Sequence, residues 1–219
     1  MARDRYDLLV FDWDGTLSDS TAHIAHCLQS ACRDLRLPVP GGDAARYVIG
    51  LGLRDALETV APTLDPSDYP RLVERYKYHF VTGEPHLALF PGARDMLEGL
   101  REAGYFIAVA TGKSRVGLTR ALAQTRLATL FDATRCADET FSKPHPAMLQ
   151  ELMRELGQDV DRTVMIGDTT HDLQMAINAG VAGIGVTYGA HRPEPLRALA
   201  PVFCADSVTQ LHEWLASNG

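Results

Sequence analysis

The 219 residues carry 46% hydrophobic and 22% charged side chains, enough apolar material for a buried core in one domain with a large insertion, or in two small ones. A formal net charge of -7 with no dense Lys/Arg block argues against a nucleic-acid partner. No apolar stretch is long enough to span a bilayer, and Met1 to Asp7 lacks the apolar region of a signal peptide, so a cytoplasmic location off the membrane is expected. Cys27, Cys32, Cys136 and Cys204 form no C-x-x-C pair and read as reduced packing residues.

The first element is Leu8-Leu9-Val10-Phe11, a continuous apolar run that reads as a strand buried on both faces. It ends in Asp12 and Asp14. Ser18-Asp19-Ser20 then signals a helix start, and Ile24, Leu28, Ala31 and Leu35 give that helix one apolar face to about Leu37. Pro38 to Gly42 stops it. Two further helical stretches follow, near Asp43 to Ala61 and Pro66 to Thr82, the first interrupted by Ile49-Gly50-Leu51-Gly52-Leu53. Residues 18 to 89 contain no convincing strand, and read as a small all-helical insertion.

From Pro91 strand and helix alternate. Helices are expected over Pro91 to Ala103, after Thr111-Gly112-Lys113-Ser114, from Pro144 to Leu156, over Thr169 to Ala179 and from Ser207 to about Ala216. Strands are expected over Tyr105 to Ala110, Phe131 to Cys136, Thr163 to Ile166, Val181 to Val186 and Val202 to Cys204. Such alternation implies an α/β fold with a parallel sheet and right-handed crossovers.

Three strands end in polar residues at one sheet edge: Asp12 with Asp14, Thr111 with Gly112, and Asp168 with Asp172. In open parallel sheets that edge is where ligands bind. Two adjacent carboxylates repel, so a cation is expected among them. The set has the parts for phosphoryl transfer, which needs positioning and charge neutralisation. Asp12 is the candidate nucleophile, able to form an aspartyl-phosphate. Asp14 is the candidate acid and base for the leaving alkoxide and the incoming water. Mg2+ prefers a few carboxylates plus water, a set that Asp12, Asp168 and the Asp14 main-chain carbonyl can supply. Thr111 and the backbone N–H groups around Gly112 suit phosphate oxygens, and Lys143 adds positive charge. Singly, each feature also has a plain reading as a turn, a cap or a surface lysine.

Other motifs are set aside. Gly112-Lys113-Ser114 resembles the end of a P-loop, but Ile107 stands where that motif needs its first glycine. In Gly50-Leu51-Gly52 the third glycine position of a dinucleotide fingerprint is Asp55. His23 and His26 read as surface or packing histidines.

Asp12-Trp13-Asp14-Gly15-Thr16-Leu17, Thr111, Lys143-Pro144, and Gly167-Asp168 with Asp172 occur in the order of four motifs. On these residues the chain resembles the haloacid dehalogenase superfamily of phosphohydrolases, in its phosphoglycolate-phosphatase-like branch. The resemblance implies a Rossmann-like core, residues 1–17 and 90–219, with an inserted helical cap, residues 18–89, that opens and closes over the site. It implies Mg2+ as cofactor, Asp12 as the phosphorylated residue, Asp14 as acid/base, Thr111 and Lys143 on the phosphoryl group, and Asp168 on the metal. Asp172 would assist the metal directly or through water. Dehalogenases of the superfamily lack a carboxylate at the position of Asp14, because halide needs no proton.

Trp13 departs from the smaller aliphatic residue usual between the two aspartates, and its ring is expected under the cap hinge. Ile49 to Arg54 resembles a substrate-specificity loop, in which Arg54 either pairs with substrate or is an exposed helix arginine. Arg75, Tyr76 and His79 are weaker candidates. The expected activity is hydrolysis of a small phosphate monoester, nominally 2-phosphoglycolate. A hexose-phosphate mutase and a non-catalytic phospho-ligand-binding protein are the alternatives. Nothing in the sequence chooses between a monomer and a homodimer.

Overall fold

The computed structural model describes residues 5–83 and 88–218 of the chain. The reading of the N-terminus therefore lies partly outside the described residues, at Met1 to Asp4, as does the stretch 84–87 within the expected cap.

The helices and strands follow one another as β1 (Leu8–Phe11), α1 (Thr21–Asp34), α2 (Gly42–Tyr47), α3 (Leu53–Val60), α4 (Tyr69–Thr82), α5 (Ala93–Glu102), β2 (Phe106–Thr111), α6 (Arg115–Thr125), β3 (Ala133–Cys136), α7 (Ala147–Leu156), β4 (Thr163–Gly167), α8 (Thr170–Ala179), β5 (Ala182–Val186), α9 (Pro193–Ala198), β6 (Phe203–Ala205) and α10 (Val208–Asn218). The six strands form one sheet in the order β3-β2-β1-β4-β5-β6, and every pairing is parallel. The α/β, Rossmann-like reading is correct.

β1 is apolar throughout because both sheet faces are covered. Its side chains alternate between them, as strand geometry requires. Leu9 and Phe11 pack toward α5, α6 and α10, through Leu97, Leu118 and Leu211. Leu8 and Val10 face α7 and α8, through Leu149, Leu152 and Met175. The helix α9 carries no periodic signal over its six residues and was not foreseen in the sequence. Between α1 and α4 the helices bury a separate apolar cluster that includes Ile24, Leu28, Leu57 and Leu72.

The sheet order reverses at β1, which pairs with β2 on one side and β4 on the other. That switch point opens a crevice beyond the strand tips. Phe11 is in register with Val109 and Ile166, so Asp12 emerges between the ends of β2 and β4. The Asp12 N–H donates to the Ile166 carbonyl at 2.9 Å, carrying the ladder one residue beyond the strand. The chain then enters and leaves the helical insertion side by side: Asp19 N–H donates to Ala88 O, and Phe90 N–H to Leu17 O.

Candidate active site

At the crevice, Asp12, Asp168 and Asp172 bring carboxylate oxygens within 4.8 Å of one another, and all three residues are buried. Lys143 is buried with them. Its Nζ lies 2.8 Å from Asp12 Oδ1 and 2.6 Å from Asp172 Oδ1. Three buried carboxylates face one ammonium, so the cluster when fully ionised would carry two negative charges in excess. Neither oxygen of Asp12 has a hydrogen-bond donor, and its contact with Lys143 is an ion pair without hydrogen-bond geometry. Burial pushes the Asp12 carboxyl up to about 7, against the pull of Lys143 and with the help of Asp172. Burial also raises Asp168 well above the usual carboxylate range, with Asp12 and Asp172 adding to it. Burial pulls Lys143 down, but Asp12 and Asp172 outweigh it and hold the ammonium above the usual lysine range. A divalent cation fits this cluster in charge and in donor type.

Each group is held by its own element. Asp168 follows β4, and its carboxylate accepts from Thr16 Oγ1 at 2.9 Å and from the Ala190 N–H at 2.7 Å. Gly15, at φ +85°, has no room for a side chain, because a Cβ there would overlap the Asp168 carboxylate. Asp172 occupies the third position of α8. Its Oδ2 accepts from the Thr169 N–H and hydroxyl, while Thr169 Oγ1 accepts in return from the Asp172 N–H. This is a capping box whose remaining oxygen is turned to Lys143.

Asp14 lies outside the acidic cluster. Its Oδ1 accepts from the Ser20 hydroxyl at 2.6 Å and pairs with Lys113 Nζ at 2.9 Å. Two residues are thus added to those singled out by sequence. Ser20 stands at the start of α1 as expected, yet its hydroxyl serves Asp14 and caps nothing. Lys113 was set aside with its P-loop-like tripeptide. Its ammonium bridges the Asp14 carboxylate and the face of Phe80 on α4, 5.0 Å from the ring centroid.

Thr111 is buried at the tip of β2, and its Oγ1 accepts from the Lys113 N–H. Gly112 meets the insertion directly. A Cβ there would overlap the Leu51 carbonyl oxygen and stand 2.6 Å from that of Gly50. The Gly52 N–H donates to Ser142 Oγ at 2.8 Å, beside Lys143. At the end of α2, the Tyr47 carbonyl accepts from Nε2 of both His171 and His191. Thr170 N–H donates to His191 Nδ1, which fixes the Nε2–H tautomer. The interrupted stretch Ile49 to Leu53 is therefore clamped to the core beside Gly112 and Ser142.

Trp13 is buried, but not beneath the hinge alone. It joins the core cluster that includes Leu17, Leu89 and Phe90, and tilts against Phe131 at 6.3 Å. Arg54 stands at the rim of the cleft, its side chain 85% exposed and paired with Glu58 at 2.7 Å. Arg75 and His79 both pair with Asp34 within the insertion. Tyr76 lines the cleft itself.

The family model for haloacid dehalogenase-like hydrolases matches residues 9–186. A protein of Dickeya dadantii (strain 3937) named "Probable phosphatase IndB" is 37% identical over 209 residues, covering 93% of this chain and 91% of its own. A phosphoglycolate phosphatase of Vibrio vulnificus (strain YJ016) is 31% identical over 221 residues and 96% of each chain. The crystal structure of a predicted phosphoglycolate phosphatase from Haemophilus somnus 129PT superposes with a TM-score of 0.85 at 25% identity, over 97% of this chain and 98% of that one.

Proposed function

The chain is a phosphatase of the haloacid dehalogenase-like hydrolase family, and from that premise we propose that it hydrolyses a small-molecule phosphate monoester with Mg2+ through a phosphorylated Asp12. The observation that carries this reading is the buried Asp12, Asp168 and Asp172 cluster, charged in excess of Lys143 and with both Asp12 oxygens lacking donors. Asp12, Asp168 and the Asp14 main-chain carbonyl would hold Mg2+, which when bound would supply positive charge to the phosphoryl oxygens.

The chain's own residues do the rest. Asp12 attacks phosphorus and carries the phosphoryl group. Lys143, steadied by Asp172, keeps Asp12 ionised against the cost of burial and neutralises charge on the phosphoryl oxygens. Thr111 and the backbone around Gly112 hold those oxygens. Asp14, anchored by Ser20 and Lys113, gives a proton to the departing alkoxide and takes one from water in the second half. Helices α1 to α4 act as the cap, which excludes bulk water when seated on Gly112 and Ser142.

The names of the relatives favour 2-phosphoglycolate as substrate; the lining of the cleft does not. No helix among the described residues is long and apolar enough to cross a membrane. Phosphate release from para-nitrophenyl phosphate tests the reading: it is expected with Mg2+, to stop with EDTA, and to be absent in Asp12→Asn. Full turnover by Asp12→Asn would end the nucleophile assignment.

A further inference from the structure

The cleft between the insertion and the core encloses about 890 Å³ and runs from Asp12 and Asp14 to the inner face of α4. A two-carbon carboxylic acid such as glycolate would leave most of that space empty. The walls are also of the wrong kind for it. Leu28 and Ile49 line the inner end and are buried, Tyr76 and Phe80 form an aromatic pair with centroids 5.9 Å apart, and Val116 and Phe141 close the core side. Val116 and Phe141 are 79% and 65% exposed, and the Phe141 ring stacks on His145 with centroids 4.3 Å apart. Of the four cations among the described residues that line the cleft, Arg54 is engaged by Glu58 at the rim and Lys113 by Asp14, while Lys77 and Arg120 reach it from exposed positions on α4 and α6.

We infer that the alcohol portion of the substrate is bulky, ring-bearing and largely apolar, seated against Tyr76, Phe80, Val116 and Phe141 while the phosphate faces Asp12. The inference rests on the phosphatase reading above. Covering an aromatic ring on both faces stabilises it by apolar burial and by ring contact, neither of which glycolate can use. Specificity then comes from shape and apolar area, since a hydrophobic pocket discriminates by size.

The test is a series of monoesters of primary alcohols, so that leaving-group acidity is held nearly constant: 2-phosphoglycolate, ethyl phosphate and 2-phenylethyl phosphate, each with Mg2+. The expected result is a kcat/KM for 2-phenylethyl phosphate at least about tenfold above the other two. Val116→Ser, at an exposed position, and Phe141→Ser, which also gives up the stack on His145, should each shrink the ratio of phenylethyl to ethyl ester. A preference for 2-phosphoglycolate, or a ratio that survives both substitutions, would overturn the inference and leave the phosphatase reading intact. No Mg2+-dependent phosphate release from any ester, para-nitrophenyl phosphate included, would overturn that reading and the inference with it.

Discussion

Asp172 holds Lys143 Nζ at 2.6 Å, closer than Asp12 does at 2.8 Å. The capping carboxylate of α8 is thus also the support of Lys143. Asp172→Asn keeps the hydrogen bonds of the cap but removes half of the charge that faces Lys143. It should lower kcat by about 10- to 100-fold, the scale expected when a supporting partner is lost. Asp172→Ala should in addition destabilise the fold by about 1–2 kcal/mol, because it removes the acceptor of the Thr169 N–H and hydroxyl in the capping box. Steady-state kinetics and urea denaturation separate the two effects.

Lys113 should act through Asp14. Lys113→Met leaves that carboxylate with the Ser20 hydroxyl alone. The loss in kcat should be about tenfold or more for an alkyl ester, whose alkoxide needs a proton, and smaller for para-nitrophenyl phosphate, whose phenolate does not. Lys113→Arg should recover part of it. Equal losses on both esters would argue that Lys113 serves the phosphoryl group instead.

At Gly112 the core touches the backbone of Gly50 and Leu51 so closely that even a methyl group does not fit. Gly112→Ala should push the Ile49 to Leu53 stretch off the core at a stability cost of about 1–3 kcal/mol. Activity should fall far more, because the cap no longer seats over Thr111. Comparison of the unfolding midpoint with kcat/KM gives the answer, and unchanged activity would contradict the cap's placement.

The thiols should be inert in the native chain. Burial pushes Cys136 up to about 12, against the pull of Arg115, so its thiolate is scarce until the pH approaches that value. Burial also raises Cys32 and Cys204. At pH 8 a disulfide reagent should react slowly with native protein and fully once urea is added. A fast native thiol traced to Cys136 would contradict its packing.

Much of the site was legible because covalent spacing and strand ends dictate it. An apolar run such as Leu8 to Phe11 must end at the sheet edge, and Asp12 and Asp14 are tied to that end. Asp168 follows from β4 in the same way. What was not legible depends on where a side chain turns in three dimensions. Ser20 has the chemistry of a helix cap, and only the approach of Asp14 redirects its hydroxyl. Lys113 looked like a fragment of another motif because its partners, Asp14 and Phe80, are remote in sequence. The clamp on the Tyr47 carbonyl joins residues more than a hundred positions apart. Helix α5 begins two residues later than read, since Gly92 takes φ +82° and the turn at Pro91 precedes the helix.

In the proposed mechanism Asp12 carries the phosphoryl group and Asp14 is needed to release it. In Asp14→Asn, para-nitrophenyl phosphate should still phosphorylate the enzyme, because its leaving group needs no proton, while hydrolysis of the intermediate lacks its base. Rapid mixing with Mg2+ should then give a burst of one nitrophenolate per active site followed by slow turnover. Acid quenching within the burst, digestion and mass spectrometry should place the phosphoryl group on the peptide containing Asp12. A burst with the label elsewhere, or normal turnover with no labelled peptide in both Asp14→Asn and Asp12→Asn, would contradict the account.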